Sequence, residues 1–195
     1  MENEVKEPAP KYNYISPEEY LVFERTAKYK NEYYYGQVLA MSGASLKHNI
    51  IDRNLLRTIG PFLKGKDCNI LPGNMRVSTP NHDSYMYPDA LIVCGEPVLE
   101  DKQFDTLTNP SVIFEILSPS TRSIDKGRKF FFYQQILSLQ EYFMIDSLKR
   151  FIHIARKQSD QSWVVETINE EITQILITTI NLHVSLDEIY DGTGL

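Results

Sequence analysis

The segment "SVIFEILSPST", residues 111–121, holds a contradiction. Val112, Ile113, Phe114, Ile116 and Leu117 form an apolar run of strand length, with Glu115 in its middle. A run that is apolar at every alternating position belongs in a sheet covered on both faces. A carboxylate in such a place is costly unless it is paired, bound to metal or neutralised. Glu115 is therefore either one half of a buried ion pair, with Lys129 or Arg128 as the available cation, or a functional group.

Working outward, a second apolar run, "YPDALIVCG" (residues 87–95), has Asp89 at its mouth. Pro88 cannot donate to a sheet ladder, which places Asp89 at a strand entrance and not in mid-sheet. If the two strands are neighbours, about 4.8 Å apart, their carboxylates converge. Two unneutralised carboxylates that close repel, and one of them takes a proton at neutral pH. A divalent cation removes the conflict. Mg²⁺ prefers hard oxygen ligands, one or two of them carboxylates, with waters and phosphate completing its shell.

The flanking sequence supplies covers for such a sheet. "SPEEYLVFERT" (16–26) predicts a short helix capped by Ser16, with Pro17 in the first turn and Glu18 and Glu19 near the positive end of its dipole. "NEYYYGQVLAMSG" (31–43) predicts one strand, or two joined by a turn near Gly36. Residues 45–66 place Ile50, Ile51, Asn54, Leu55, Ile59 and Leu63 at helical spacing behind Ser45, with Gly60-Pro61 bending the helix or ending its regular part. A strand over 68–79, interrupted at Pro72-Gly73, precedes the two central runs. A helix over about 122–137 follows them, then strands at 141–146, 150–156 and 162–168 and a short last helix. The pattern predicts a mixed α/β sheet with helices 45–64 and 122–137 on its two faces.

Composition is that of a globular chain: 195 residues, 42% hydrophobic and 24% charged, enough for one domain with a proper core. Residues 1–15 read as a flexible arm, 16–195 as a single domain, and about 170–195 as its acidic tail. No apolar run approaches the ~20 residues needed to span a bilayer, and the N-terminus lacks the basic-then-apolar order of a secretory signal. A cytoplasmic protein with Cys68 and Cys94 as buried reduced thiols is the expectation. The net charge of −6 is unevenly spread: residues 1–24 carry −4, residues 158–195 carry −7, and residues 25–157 carry +5. The middle permits phosphate binding.

Four blocks run in order over most of residues 16–168: "NEYYYGQVLAMSGASLKHN", "NMRVSTPNHDSYMYPDALIVCGEP", "NPSVIFEILSPSTRSIDKGRKFFFY" and "LQEYFMIDSLKR". Together they resemble the PD-(D/E)XK nuclease superfamily, and most closely its branch of putative restriction endonucleases. The resemblance implies a restriction-endonuclease-like α-β-β-β-α-β core, metal-dependent endonucleolytic hydrolysis of DNA, and a homodimer. It implies that Asp89, Glu115 and the backbone carbonyl of Ile116 hold Mg²⁺ or Mn²⁺, with Glu32 as a further ligand or its support. The superfamily places a lysine two residues after the glutamate, where this chain has Leu117. The branch carries that lysine on the following helix, which corresponds to Lys129. Asp125, Lys129 and Tyr133 stand at i, i+4 and i+8 and share a helix face, with Lys126 one residue off it. Tyr133 then orients Lys129 or a water, His48 meets water or phosphate at a helix start, and Lys126 and Arg128 contact DNA phosphates.

Other chemistries find less support. Ser118 and Ser120 lack a nearby His-Asp arrangement. There is no Gly-rich phosphate loop, and the histidines and cysteines show no zinc-ligand spacing. The alternative to an enzyme is a nuclease scaffold without catalysis that binds nucleic acid or protein, motivated by Leu117 and by acidic termini that repel DNA.

Overall fold

A computed structural model describes residues 14–119 and 121–195. Residues 1–13 of the expected arm, and Ser120, lie outside the described residues. The chain opens with α1 (Pro17–Thr26), whose capping box joins the Ser16 hydroxyl to the Glu19 N–H and the Glu19 carboxylate to the Ser16 N–H. The tyrosine-rich segment forms two strands, β1 (Asn31–Tyr34) and β2 (Gln37–Ala40), joined by a turn with positive φ at Tyr35 and Gly36. Next comes α2 (Leu46–Leu63), capped by Ser45. Pro61 sits inside it, in the final turn, and does not end it.

Strand β3 (Cys68–Pro72) is followed by β4 (Arg76–Ser78), β5 (Ser84–Met86), β6 (Ala90–Cys94), β7 (Thr106–Leu107) and β8 (Val112–Leu117). The helix expected over 122–137 is shorter. It consists of a π-helical turn, Ile124–Lys129, running into one α-helical turn, α3 (Phe130–Tyr133). Strands β9 (Glu141–Asp146), β10 (Ile152–Lys157) and β11 (Trp163–Ile168) follow. The chain ends in a hairpin of β12 (Gln174–Ile177) and β13 (Leu182–Ser185) and then α4 (Leu186–Tyr190).

The central sheet has the order β11-β10-β9-β8-β6-β3 and is mixed: β8 and β9 run parallel, and the other neighbours are antiparallel. Helix α2, β3, β6, β8, the 124–133 helical segment and β9 give the α-β-β-β-α-β succession. One face buries Ile51, Leu55 and Ile59 of α2 and Ile189 of α4 against Ile92, Phe114 and Phe143. The other face packs Phe132 and Tyr133 with Leu91, Ile113 and Tyr142, together with Tyr34, Val77 and Met86 from a second sheet, β2-β1-β5-β4-β7. Every residue of β8, Glu115 included, is buried.

The cysteines depart from expectation. Cys68 and Cys94 stand directly opposite each other on β3 and β6 and form a disulfide, so they are not free thiols. The antiparallel register brings two residues 26 apart in sequence to a Cα separation of 4.0 Å. Among the described residues no helix is long and apolar enough to cross a membrane.

Candidate active site

The β6–β8 register pairs Ala90 with Phe114 and Leu91 with Ile113. Carrying it one residue further puts Asp89 opposite Glu115, and directly opposed residues share a sheet face. Asp89 stands where the ladder stops. Its Oδ2 accepts the Ile116 N–H at 2.6 Å, so a side chain completes the pairing that Pro88 interrupts. Its Oδ1 lies 3.2 Å from His48 Nε2, at the start of α2. Burial disfavours the His48 imidazolium, but the hydrogen bond and charge of Asp89, with Asp52 and Asp125 beyond, outweigh it and raise the pKa.

Glu115 is 3% exposed and points toward the α3 face. Its Oε1 accepts both the Lys129 ammonium at 3.1 Å and the Tyr133 hydroxyl at 3.0 Å. Lys129 also lies 2.9 Å from Glu32 Oε1 and 3.6 Å from Asp125 Oδ1. Glu32, on β1, is fixed by the Tyr34 hydroxyl at 2.8 Å and the Tyr87 N–H at 3.1 Å. Glu32, His48, Asp89, Glu115, Ile116, Asp125 and Lys129 all line one cavity of about 350 Å³.

The charges in this cavity do not balance. Among the described residues, four carboxylates, those of Glu32, Asp89, Glu115 and Asp125, line it with one lysine and one histidine. Burial pushes the Glu115 pKa well up; Lys129 opposes the shift, and the charges of Asp125, Asp89 and Glu32 add to it. Burial raises Asp125 as well, against the pull of Lys129 and of the Thr121 hydroxyl. Burial works against the charge of Lys129, but Glu115 and Glu32 outweigh it and hold its pKa well above that of an ordinary lysine. Lys129 therefore stays an ammonium while the acids compete for too little positive charge.

Among the described residues, no group of three or more His, Cys, Asp or Glu forms a ready-made metal cage. The donor set still suits a hard cation that needs only one or two carboxylates and keeps waters of its own. The excess of negative charge points the same way, because a divalent cation beside Asp89 and Glu115 would offset it.

The model of the Uma2 family, described as putative restriction endonucleases, matches residues 17–187. The chain belongs to the Uma2 family. It is 33% identical to the uncharacterized protein slr1290 of Synechocystis sp. over 186 residues, which cover 95% of this chain and 96% of that protein. It is 34% identical to a second uncharacterized Synechocystis protein, sll1609, over 161 residues, covering 83% and 91%. The fold is similar to that of a crystal structure of a putative nuclease belonging to DUF820 from Anabaena variabilis, with a TM-score of 0.75 at 17% identity, covering 90% of this chain and 97% of that one.

Within this Uma2 fold, not every residue singled out in the sequence meets the cavity. Leu117, at the superfamily's lysine position, is buried in the core beneath α3. Tyr133 is fully buried and reaches the site only through its hydroxyl. Lys126 and Arg128 do not line the cavity; Arg128 lies 5.3 Å from the ring of Tyr34. Sequence reasoning passed over Asp125 as a charge partner, although its place on the Lys129 face was readable. It also passed over Tyr34 and the Tyr87 backbone as the supports of Glu32. Tyr34 stands two residues from Glu32 on one strand face, a spacing visible in "EYY".

Proposed function

We propose that the protein is a divalent-metal-dependent endonuclease that hydrolyses DNA phosphodiesters. The observation that carries this reading is Lys129. Its ammonium comes from the turn after β8 and lies 3.1 Å from Glu115, in a cavity shared with Asp89. It thus stands in for the strand lysine that Leu117 replaces. Family membership supports the reaction class.

In this reading Asp89, Glu115 and the Ile116 carbonyl would hold Mg²⁺ or Mn²⁺. The bound ion supplies Lewis-acid polarisation of a phosphate and a water of lowered pKa. The protein's part is positioning and charge. The Ile116 N–H and His48 fix the two oxygens of Asp89. Tyr133 and Lys129 fix one oxygen of Glu115. Lys129, held protonated, offsets charge that develops on phosphoryl oxygens in the transition state. Glu32, locked by Tyr34 and Tyr87, anchors the ammonium until a phosphate competes for it.

The test is conversion of supercoiled plasmid to nicked and linear forms in Mg²⁺ or Mn²⁺, comparing the wild type with Glu115→Ala. Cleavage that needs the metal and is lost in the variant is expected. Metal-independent cleavage, or full activity in Glu115→Ala, would reject the reading. Absence of cleavage, together with no Mn²⁺ binding heat, would leave the scaffold-without-catalysis alternative.

A further inference from the structure

Positive charge gathers beside the cavity, at the carboxyl ends of the parallel strands β8 and β9. Leu117 and Asp146 end these strands in register. The loop after β9 is tied to β8 by Ser147, whose N–H and hydroxyl reach the Leu117 carbonyl at 3.1 and 2.7 Å. That anchor is two residues beyond Glu115. Arg122 approaches from the other side, with Nη2 2.7 Å from Asp146 Oδ2. Asp146 Oδ1 is taken by the Leu148 N–H at 2.9 Å, so the acid facing this patch is already engaged. Exposed Lys149 lies 4.3 Å from the ring of Phe151, and that ring packs 4.8 Å from His153.

We propose that Arg122, Lys126, Lys149 and His153 form a docking face for the backbone phosphates of a nucleic acid, leading into the cavity. The proposal deepens the nuclease reading and takes its purpose from it. Three separate elements bring these residues together: the turn 121–129, the β9–β10 loop and β10. Arg122 Nε is a buried donor that has no partner among the described residues. Burial lowers the Lys126 pKa, and repulsion from Arg122 and Lys149 lowers it further. Burial, then Lys126 and Lys149, do the same to His153. Arg122, Lys126 and Lys149 crowd like charge around one engaged acid, a setting poised for a polyanion, and duplex DNA presents about one negative charge per 1.7 Å of axis. Thr121 and Asp125, on the same turn as Arg122 and Lys126, line the cavity together with Lys129, so the face borders the cavity. Arg150 is outside the set because it turns to Asp187 and the Tyr190 ring of α4, and Arg128 because it turns toward Tyr34.

The test is fluorescence anisotropy of the full chain with a short labelled duplex in Ca²⁺, across a salt series. The pair Lys126→Ala with Lys149→Ala is expected to weaken binding roughly tenfold and to flatten the salt slope by about two, near 0.9 for each phosphate that is no longer neutralised. Lys126→Arg with Lys149→Arg should bind like wild type, which separates loss of charge from loss of fold, and Lys102→Ala in the exposed loop before β7 should change nothing. The inference is overturned if the alanine pair keeps wild-type affinity and slope, if the wild type does not bind, or if millimolar inorganic phosphate at constant ionic strength displaces the duplex, which would mark a site for free phosphate. Binding without cleavage in the plasmid assay overturns the nuclease reading alone. Cleavage with undiminished binding by the alanine pair overturns this inference alone.

Discussion

Replacing Lys129 by methionine removes the ammonium that faces Glu32, Glu115 and Asp125 at 2.9, 3.1 and 3.6 Å. Methionine fills similar volume, so the effect is one of charge. Deleting one partner of a buried pair costs about 3–5 kcal/mol. Three acids share this lysine, which puts the expected loss toward the upper end. A chain of this size loses about 2–4 °C per kcal/mol, so in EDTA the melting temperature should fall by roughly 10–20 °C. The deficit should depend on pH with a definite sign. Burial raises the folded-state pKa of Glu115 and Asp125, so their contribution is most favourable at low pH and is lost as pH rises through those raised values. Without Lys129 the gap from wild type should therefore be wider at pH 8 than at pH 5, and Mg²⁺ should narrow it. Scanning calorimetry at the two pH values, with and without Mg²⁺, measures all of this. A variant melting within about 2 °C of wild type at pH 8 in EDTA, under 1 kcal/mol on the same scale, would refute the charge argument.

In the wild type without metal, the raised folded-state pKa values of Glu115 and Asp125 give stability that declines as pH rises above about 4, and that of His48 gives stability that declines above about 6.5; denaturant titrations from pH 5 to 8 should show that contribution falling and Mg²⁺ flattening it, and a contribution that grows with pH in EDTA would contradict the assignment. Ser16→Ala opens the capping box of α1 and should cost about 1 kcal/mol without changing the heat of Mn²⁺ binding, because α1 lies outside the cavity lining; an altered Mn²⁺ titration would show that α1 reaches the site. Reducing the Cys68–Cys94 bridge, or replacing both residues by serine, frees a 26-residue separation in the unfolded chain and should cost about 3 kcal/mol; equal melting of oxidised and reduced protein would show that the bridge adds nothing.

Much of the site was legible because its acids sit in unlikely company. Glu115 announces itself inside an apolar run, and Asp89 stands where Pro88 forbids a ladder bond, so their meeting needed only that two successive strands be neighbours. Lys129 was legible through the family resemblance, with its i, i+4 spacing from Asp125 in support, although the turn it occupies is π-helical and a plain i, i+4 count does not anticipate that. Asp125 is harder to recognise, because a helix acid four residues before a lysine looks like an ordinary surface pair until the cavity is seen to bury it. The second sheet escaped because β5 and β7 are two or three residues long, too short for any alternation to register, and β4 was read as the continuation of β3 past Pro72-Gly73. Strands β12 and β13 escaped for another reason: acids at 166, 170, 171, 187 and 188 surround them, and charge masked the apolar residues Ile175, Ile177 and Val184 that pack into the core. The disulfide depends on the β3–β6 register, which two cysteines 26 residues apart do not reveal.

Anomalous scattering from a crystal soaked in Mn²⁺ tests the central claim most directly. One peak should appear in the cavity, within bonding distance of carboxylate oxygens of both Asp89 and Glu115, with the Lys129 ammonium beside it. Manganese bound elsewhere on the molecule, with that cavity empty and Glu115 still closed onto Lys129 and Tyr133, would contradict it.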